Sequence, residues 1–292
     1  MTALLVEGLA HEPAGPVLQR GTDPMTRRLG LSRLGTVDLD TLVAHAELME
    51  RTDRKYIVPV STARALVDAI ADTHHVLQIN GRLYTSYESL YFDTAELRSV
   101  QAHIQRRRRR WKVRARRYVE DGLCRIEVKT KDNNGDTMKV MRESDPSRFG
   151  SLLGPDRAFV ERHLAGHSDA DVARFVPAAE IDYTRSTLAD LDASTRVTID
   201  WNLATRTVMG AAWLDSGHVL VETKGAGSAS RADEVLSELR VRPQPFSKYV
   251  AAASTTTPRI PDNDFRRLLA RGVLHARTGP LAPQLMGLPS NR

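Results

Sequence analysis

Residues 112–131 read KVRARRYVEDGLCRIEVKTK, and this stretch decides the fold. Lys112, Arg114 and Arg116 recur with period two, which on a pleated strand aims all three side chains at one face. Gly122 and Leu123 turn the chain, after which Arg125, Glu127, Lys129 and Lys131 repeat the spacing. Between them Ile126 and Val128 are β-branched and apolar, as a packed outer face requires. Such a hairpin gathers cations on one surface. Like charges side by side repel, so the arrangement suits a solvated face or one filled by an anion.

The 292 residues, 41% hydrophobic, suffice for a core in one large domain or two small ones. There is no apolar run of about 18 residues and no secretory-signal pattern, so neither membrane insertion nor export is expected. Cys124 is the single cysteine, so no internal disulfide forms, which fits a reducing cytoplasm. The net charge of +6 favours an anionic partner.

Residues 1–36 mix Gly, Pro and polar residues without sustained period and read as a weakly ordered extension, as does the Pro-bearing tail 261–292. The domain is expected over 37–260. Ser61 is placed to cap a helix to about residue 72, Thr94 one to about 104, and further helices are expected near 155–165 and 229–240. Strands are expected around 51–55, 83–92, the hairpin, 137–142, 178–186, 194–201, 206–210 and 218–224. Few βαβ units accompany them, so the class is α+β with an antiparallel eight-stranded sheet closing into a barrel, helices packed outside.

The polar alternation recurs beyond the hairpin, in Arg51, Asp53 and Lys55, in Arg196, Thr198 and Asp200, in Glu222 and Lys224, and in Tyr183 with Arg185. One such face would simply meet water. Six of them, rich in Lys and Arg, predict a cationic tunnel with a few acids available for a metal. Guanidinium forks grip phosphate oxygens, Lys supplies movable charge, and sparse carboxylates can hold Mg²⁺ or Mn²⁺, a combination that points to phosphoryl chemistry.

At these residues the chain resembles the VTC domain, the polyphosphate polymerase module within the triphosphate tunnel metalloenzymes of the CYTH-like superfamily. The matching pieces come in order: Arg51, Asp53, Lys55 and Tyr56; Tyr91 to Thr94; Lys112, Arg114, Arg116 and Tyr118; Glu127, Lys129 and Thr130; Tyr183 and Arg185; Arg196 and Asp200; Glu222 and Lys224; Phe246 to Tyr249. The resemblance implies an eight-stranded tunnel that moves the terminal phosphoryl group of ATP onto inorganic polyphosphate with Mn²⁺ or Mg²⁺. It carries substrate-contacting roles to Lys55, Arg114, Arg116, Lys129, Arg185, Arg196 and Lys248, and a metal-binding role to Glu222. Asp53 and Glu127 are candidate helpers at the metal, while Arg51, Lys112, Lys131, Lys224 and Ser247 are candidate substrate contacts. Many relatives open with two glutamates and a lysine where this chain has Arg51, Asp53 and Lys55, which disfavours a hydrolase built on an acidic metal site. A triphosphatase in the same tunnel and a non-catalytic polyphosphate-binding module are the alternatives.

Arg106 to Arg110 form a run expected to line the tunnel mouth rather than to bind nucleic acid. His74 and His75, adjacent, point different ways, and His103, His163 and His167 lack metal-ligand spacing. Cys124 is read as a packed residue, Trp201 and Trp213 as core or edge, and Gly225 and Gly227 as a strand-ending turn.

Overall fold

Alternation organises the hairpin as expected. In the computed structural model, which describes residues 4–6, 23–45, 52–225 and 227–279, Arg110–Tyr118 and Leu123–Lys131 pair antiparallel with Lys112 opposite Lys129, Arg114 opposite Glu127 and Arg116 opposite Arg125. Val113, Ala115, Ile126 and Val128 fall on the other face and are buried.

In chain order the strands are β1 (Leu4–Val6), β2 (Thr36–Val37), β3 (Thr52–Pro59), β4 (His75–Leu77), β5 (Thr85–Asp93), β6 (Arg110–Tyr118), β7 (Leu123–Lys131), β8 (Thr137–Ser144), β9 (Val176–Asp190), β10 (Thr195–Thr207), β11 (Gly210–Leu214), β12 (His218–Gly225) and β13 (Leu274–Thr278). The helices are α1 (Pro24–Leu29), α2 (Leu39–Ala44), α3 (Val60–Ala69), α4 (Arg98–Ile104), α5 (Gly154–Leu164), α6 (Arg231–Glu238), α7 (Lys248–Thr256) and α8 (Arg266–Ala270).

Eight strands run antiparallel in the order β8-β7-β6-β5-β9-β10-β12-β3. The expected barrel, however, does not close. Closure requires a ladder between the end strands, yet among the described residues β3 pairs with β12 alone. The outer edge of β8 carries β1, parallel, with Leu5 opposite Val140. The sheet also branches at β10, which pairs β12 through residues 196–200 and β11 through 204–207 on either side of an irregularity between Trp201 and Ala204. The result is an open, curved antiparallel sheet rather than a barrel, with β3 and β8 both contributing to one concave cavity.

Helices cover the sheet on different sides. Under α5 the apolar face of β6 to β8 packs Val113, Ile126 and Val140 against Phe159, Val160 and Leu164. α1, α3 and α6 bury Leu29, Leu66 and Leu236 against Val197, Val219 and Val221. α7 is buried from Tyr249 to Thr256, and Tyr249 stacks on Tyr91 of β5 at 4.5 Å between ring centroids. Two segments outside 37–260 join these cores: Met25, Leu29, Leu31 and Leu34 before it, and Phe265, Val273 and Leu274 after it. Their apolar residues lie among Gly and polar positions with no clear period. Capping also differs in detail. α3 starts at Val60, so Ser61 lies inside it, and α4 starts at Arg98, where Asp93 accepts from the amides of Ser99 and Val100.

Candidate functional site

The concave face encloses a cavity of about 500 Å³ whose walls carry, among the described residues, eleven Lys and Arg side chains against three carboxylates. β3 supplies Asp53 and Lys55; β6 supplies Lys112, Arg114 and Arg116; β7 supplies Glu127, Lys129 and Lys131; and β9 supplies Arg185. Glu222 and Lys224 come from β12, and Ser247 and Lys248 from the start of α7. Thirteen of the fifteen residues singled out from sequence therefore meet in one place. Arg51 lies outside the described residues. Arg196 stands opposite Lys224 on β10, but it lines a separate small hollow with His45 and Lys224.

The cations fall into two groups. The first is locked to carboxylates. Arg114 donates to Glu127 Oε2 from Nε at 2.9 Å and from Nη2 at 2.5 Å, and to the Tyr91 hydroxyl at 2.7 Å. Lys139 of β8 reaches the same Glu127 oxygen at 3.1 Å, and Arg116 lies 3.8 Å from Oε1. Burial alone would raise the Glu127 carboxyl, but Arg114, Lys139 and Arg116 outweigh it and hold it well below the usual carboxylate range. Arg185 forks onto Asp200 at 2.6 and 2.8 Å, and Lys248 donates to Asp200 Oδ2. The Tyr183 ring underlies both cations, with Lys248 Nζ 4.3 Å from its centroid.

The second group faces the cavity with little compensation. Lys112 makes a 2.9 Å hydrogen bond to Ser247 Oγ and no ion pair among the described residues. Burial, reinforced by Lys129, Lys55, Arg114 and Arg110, pulls its pKa well below that of an ordinary lysine. Lys129 is lowered by burial, against the attraction of Asp53. Burial likewise brings Lys139 down to about 8 despite Glu127. His103 lines the same wall, and burial with Lys112 and Arg110 nearby lowers its pKa to about 3, which keeps the ring neutral. Lys139 keeps its ion pair with Glu127, whereas Lys112 and Lys129 have none among the described residues, so the wall they form can accept negative charge.

A family match gives this constellation its place. The VTC domain model matches residues 50–257, from the start of β3 to the end of α7. The chain belongs to the VTC domain family. No curated protein matches it in sequence. Solved structures similar to this VTC domain include a Hippeastrum protein described as an adenylyl cyclase candidate with a dominant triphosphatase activity, at 20% identity over 73% of this chain and 99% of that one, TM-score 0.47. A Vibrio parahaemolyticus protein described as an adenylate cyclase candidate is 13% identical over 68% of this chain and 95% of that one, TM-score 0.40. The PH1012 protein of Pyrococcus horikoshii is 11% identical over 70% and 99%, TM-score 0.39.

The expected metal site is not assembled by this VTC domain. Among the described residues no three His, Cys, Asp or Glu side chains are grouped to hold an ion. Glu127 is enclosed by Arg114, Arg116 and Lys139. The register of β12 on β3 sets Glu222 opposite Lys55 and Asp53 opposite Lys224, a chequerboard in which each carboxylate meets cations before another carboxylate. Glu222 accordingly lies 3.4 Å from Lys224, 3.8 Å from Lys55 and 3.9 Å from Arg185. Burial pushes its carboxyl up, but Lys224, Lys55, Arg185 and Lys248 hold it well below the normal range. The residues present do not fit a protein-held divalent ion.

Sequence reasoning gave no site role to four contributors. Lys139 was legible as the alternation partner of Thr137 and Met141. Asp200 was noted beside Arg196 but not as the anchor of Arg185 and Lys248. Tyr91 supports Arg114, and His103 reaches the cavity from α4 with no sequence signal. Among the described residues no helix is long and apolar enough to cross a membrane.

Proposed function

We propose that this chain is an enzyme that holds the phosphate chain of a nucleoside or inorganic triphosphate in the cationic cavity and promotes displacement at its terminal phosphorus, with water as acceptor. The observation that carries the reading is the excess of cations over carboxylates on one concave wall, including Lys112 and Lys129 whose positive charge is disfavoured until an anion arrives. Displacement at phosphorus needs positioning and charge neutralisation more than a covalent nucleophile. Arg185 is pre-oriented by Asp200 and Arg114 by Glu127, so both present fixed guanidiniums to phosphate oxygens without reorganisation. The mobile lysines supply the remaining charge. Any Mg²⁺ or Mn²⁺ would enter as the counter-ion of the triphosphate itself. An ATP-using enzyme with one buried thiol, Cys124, suits the cytoplasm.

A second reading keeps the site and changes the acceptor to polyphosphate, which makes the enzyme a polymerase. Membership of the VTC domain family favours it, as does a wall carrying more positive charge than one triphosphate balances. The test incubates purified protein with ATP labelled in its terminal phosphate, or with tripolyphosphate, plus Mg²⁺ or Mn²⁺. Released phosphate supports hydrolysis, and long labelled chains support polymerisation. Tight binding without turnover leaves a binding module, and no binding of either compound overturns the assignment.

A further inference from the structure

The arginine run expected at the mouth of the cationic cavity is divided where β6 begins, at Arg110. Arg110 lines the main cavity. Arg107, Arg108 and Arg109 instead line a second cavity of about 640 Å³, and Trp111, stacked on Phe175 at 4.8 Å, forms part of the wall of both.

The run is held in place by backbone closure at the end of α4. The amide of Arg106 donates to the His103 carbonyl at 3.1 Å and that of Arg107 to the Ala102 carbonyl at 2.9 Å. Arg106 takes φ +52°, a left-handed conformation that disfavours a residue with a Cβ. Arg107 Nε is braced by Gln105 at 2.8 Å, and Arg110 Nη1 donates to the Arg107 carbonyl at 2.9 Å. None of these partners is negative. Arg98, on α4, is paired with Asp169 at 2.6 Å, and among the described residues Asp169 is the one carboxylate lining this cavity. Arg108 and Arg109 have no ion pair or side-chain hydrogen bond among the described residues, and both are exposed. A cation near the C-terminus of α4 complements the helix dipole, but that effect fades within one turn and accounts for one side chain rather than three. The side chains of Gln101, Asn133 and Ser168 add neutral donors.

We infer that the second cavity is an exosite for linear polyphosphate, gripping the part of a long chain that extends beyond the main cavity past Trp111 and Arg110. The inference deepens the functional reading above and rests on it for the course of the chain, which leaves the main cavity past Trp111 and Arg110. Polyphosphate fits better than nucleic acid on two counts. Its charge is continuous along a narrow chain, matching consecutive guanidiniums. Stacking of bases needs an exposed aromatic platform, whereas Trp111 is buried against Phe175.

The double variant Arg108→Ala with Arg109→Ala tests this. Both positions are exposed, and neither belongs to the main cavity. Calorimetry at fixed salt compares tripolyphosphate, long-chain polyphosphate and a single-stranded RNA of matched charge. The expected result is unchanged tripolyphosphate affinity with long-chain affinity reduced about tenfold. Unchanged long-chain affinity overturns the exosite. So does equal weakening of short and long chains, which would place these arginines in service of the main cavity. RNA binding as tightly as long-chain polyphosphate in the wild type, and lost equally in the variant, would make the surface a nucleic-acid site instead. If the wild type binds no tripolyphosphate, the reading of the main cavity fails, and selective loss of long-chain binding in the variant still identifies the second cavity on its own.

Discussion

Replacing Asp200 by Asn isolates the anchor beneath the site. Asp200 is completely buried, receives the Arg185 fork at 2.6 and 2.8 Å, and accepts from Lys248. The amide keeps the shape but leaves two buried cations without their anion. Breaking a buried pair this way costs about 3 to 5 kcal/mol. At about 2 to 4 °C per kcal/mol for a domain of this class, the melting temperature should fall by roughly 6 to 20 °C. The acid limb should change too. The folded pKa of Asp200 is depressed, because Arg185 and Lys248 outweigh its burial, so its contribution is fully present above the unfolded value near 3.8 and disappears as pH falls through the lower folded value. The variant should lose that limb. Tripolyphosphate adds a discriminating readout, since a ligand at a hundred times its Kd stabilises the wild type by about 2.7 kcal/mol. The variant should gain more, because phosphate replaces the missing anion beside Arg185 and Lys248. Thermal and urea melts with and without tripolyphosphate measure both effects. A variant melting with the wild type would refute the anchoring role, and equal ligand stabilisation in both proteins would remove Arg185 and Lys248 from the phosphate site.

Lys112→Met should raise the stability of the ligand-free protein and weaken triphosphate binding by about 1.5 to 3 kcal/mol, because it deletes a buried cation whose compensation comes from the ligand; melting curves showing destabilisation together with unchanged affinity would contradict this. Triphosphate binding should take up protons at pH 8 to 9, where Lys139, held near 8, is only partly charged. Calorimetry in buffers of different ionisation enthalpy reports the uptake, and affinity should decline as pH rises through this window. The sign for stability is opposite: the unfolded chain, with this lysine near 10.5, binds more protons there, so ligand-free stability gains from Lys139 between about pH 8 and 10.5. Glu222→Gln should tighten triphosphate binding at fixed salt by removing the anion among Lys55, Lys224 and Arg185, and an unchanged Kd would show that these cations do not contact phosphate.

Period-two spacing was enough to determine which side chains share a face, since a strand has only two. It placed Lys112, Arg114 and Arg116 with Lys129 and Glu222, and it implied an anionic ligand, before any contact was known. The antiparallel character of the sheet was legible for the same reason, though it runs to thirteen strands where about eight were expected. What those faces do to one another was not. Among the described residues β3 forms no ladder with β8, whose outer edge is paired by β1, distant in sequence. Whether a carboxylate holds a metal or a guanidinium depends on cross-strand register, which sets Glu127 opposite Arg114 and Glu222 opposite Lys55. The arginine run is likewise divided only in the tertiary structure, where β6 begins at Arg110 and the residues before it, Arg107 to Arg109, line a second cavity with α4 and Trp111. Local periodicity is a property of a few consecutive residues. Closure, pairing and enclosure are energies shared between segments far apart in the chain, and they exist only once the tertiary structure has brought those segments together.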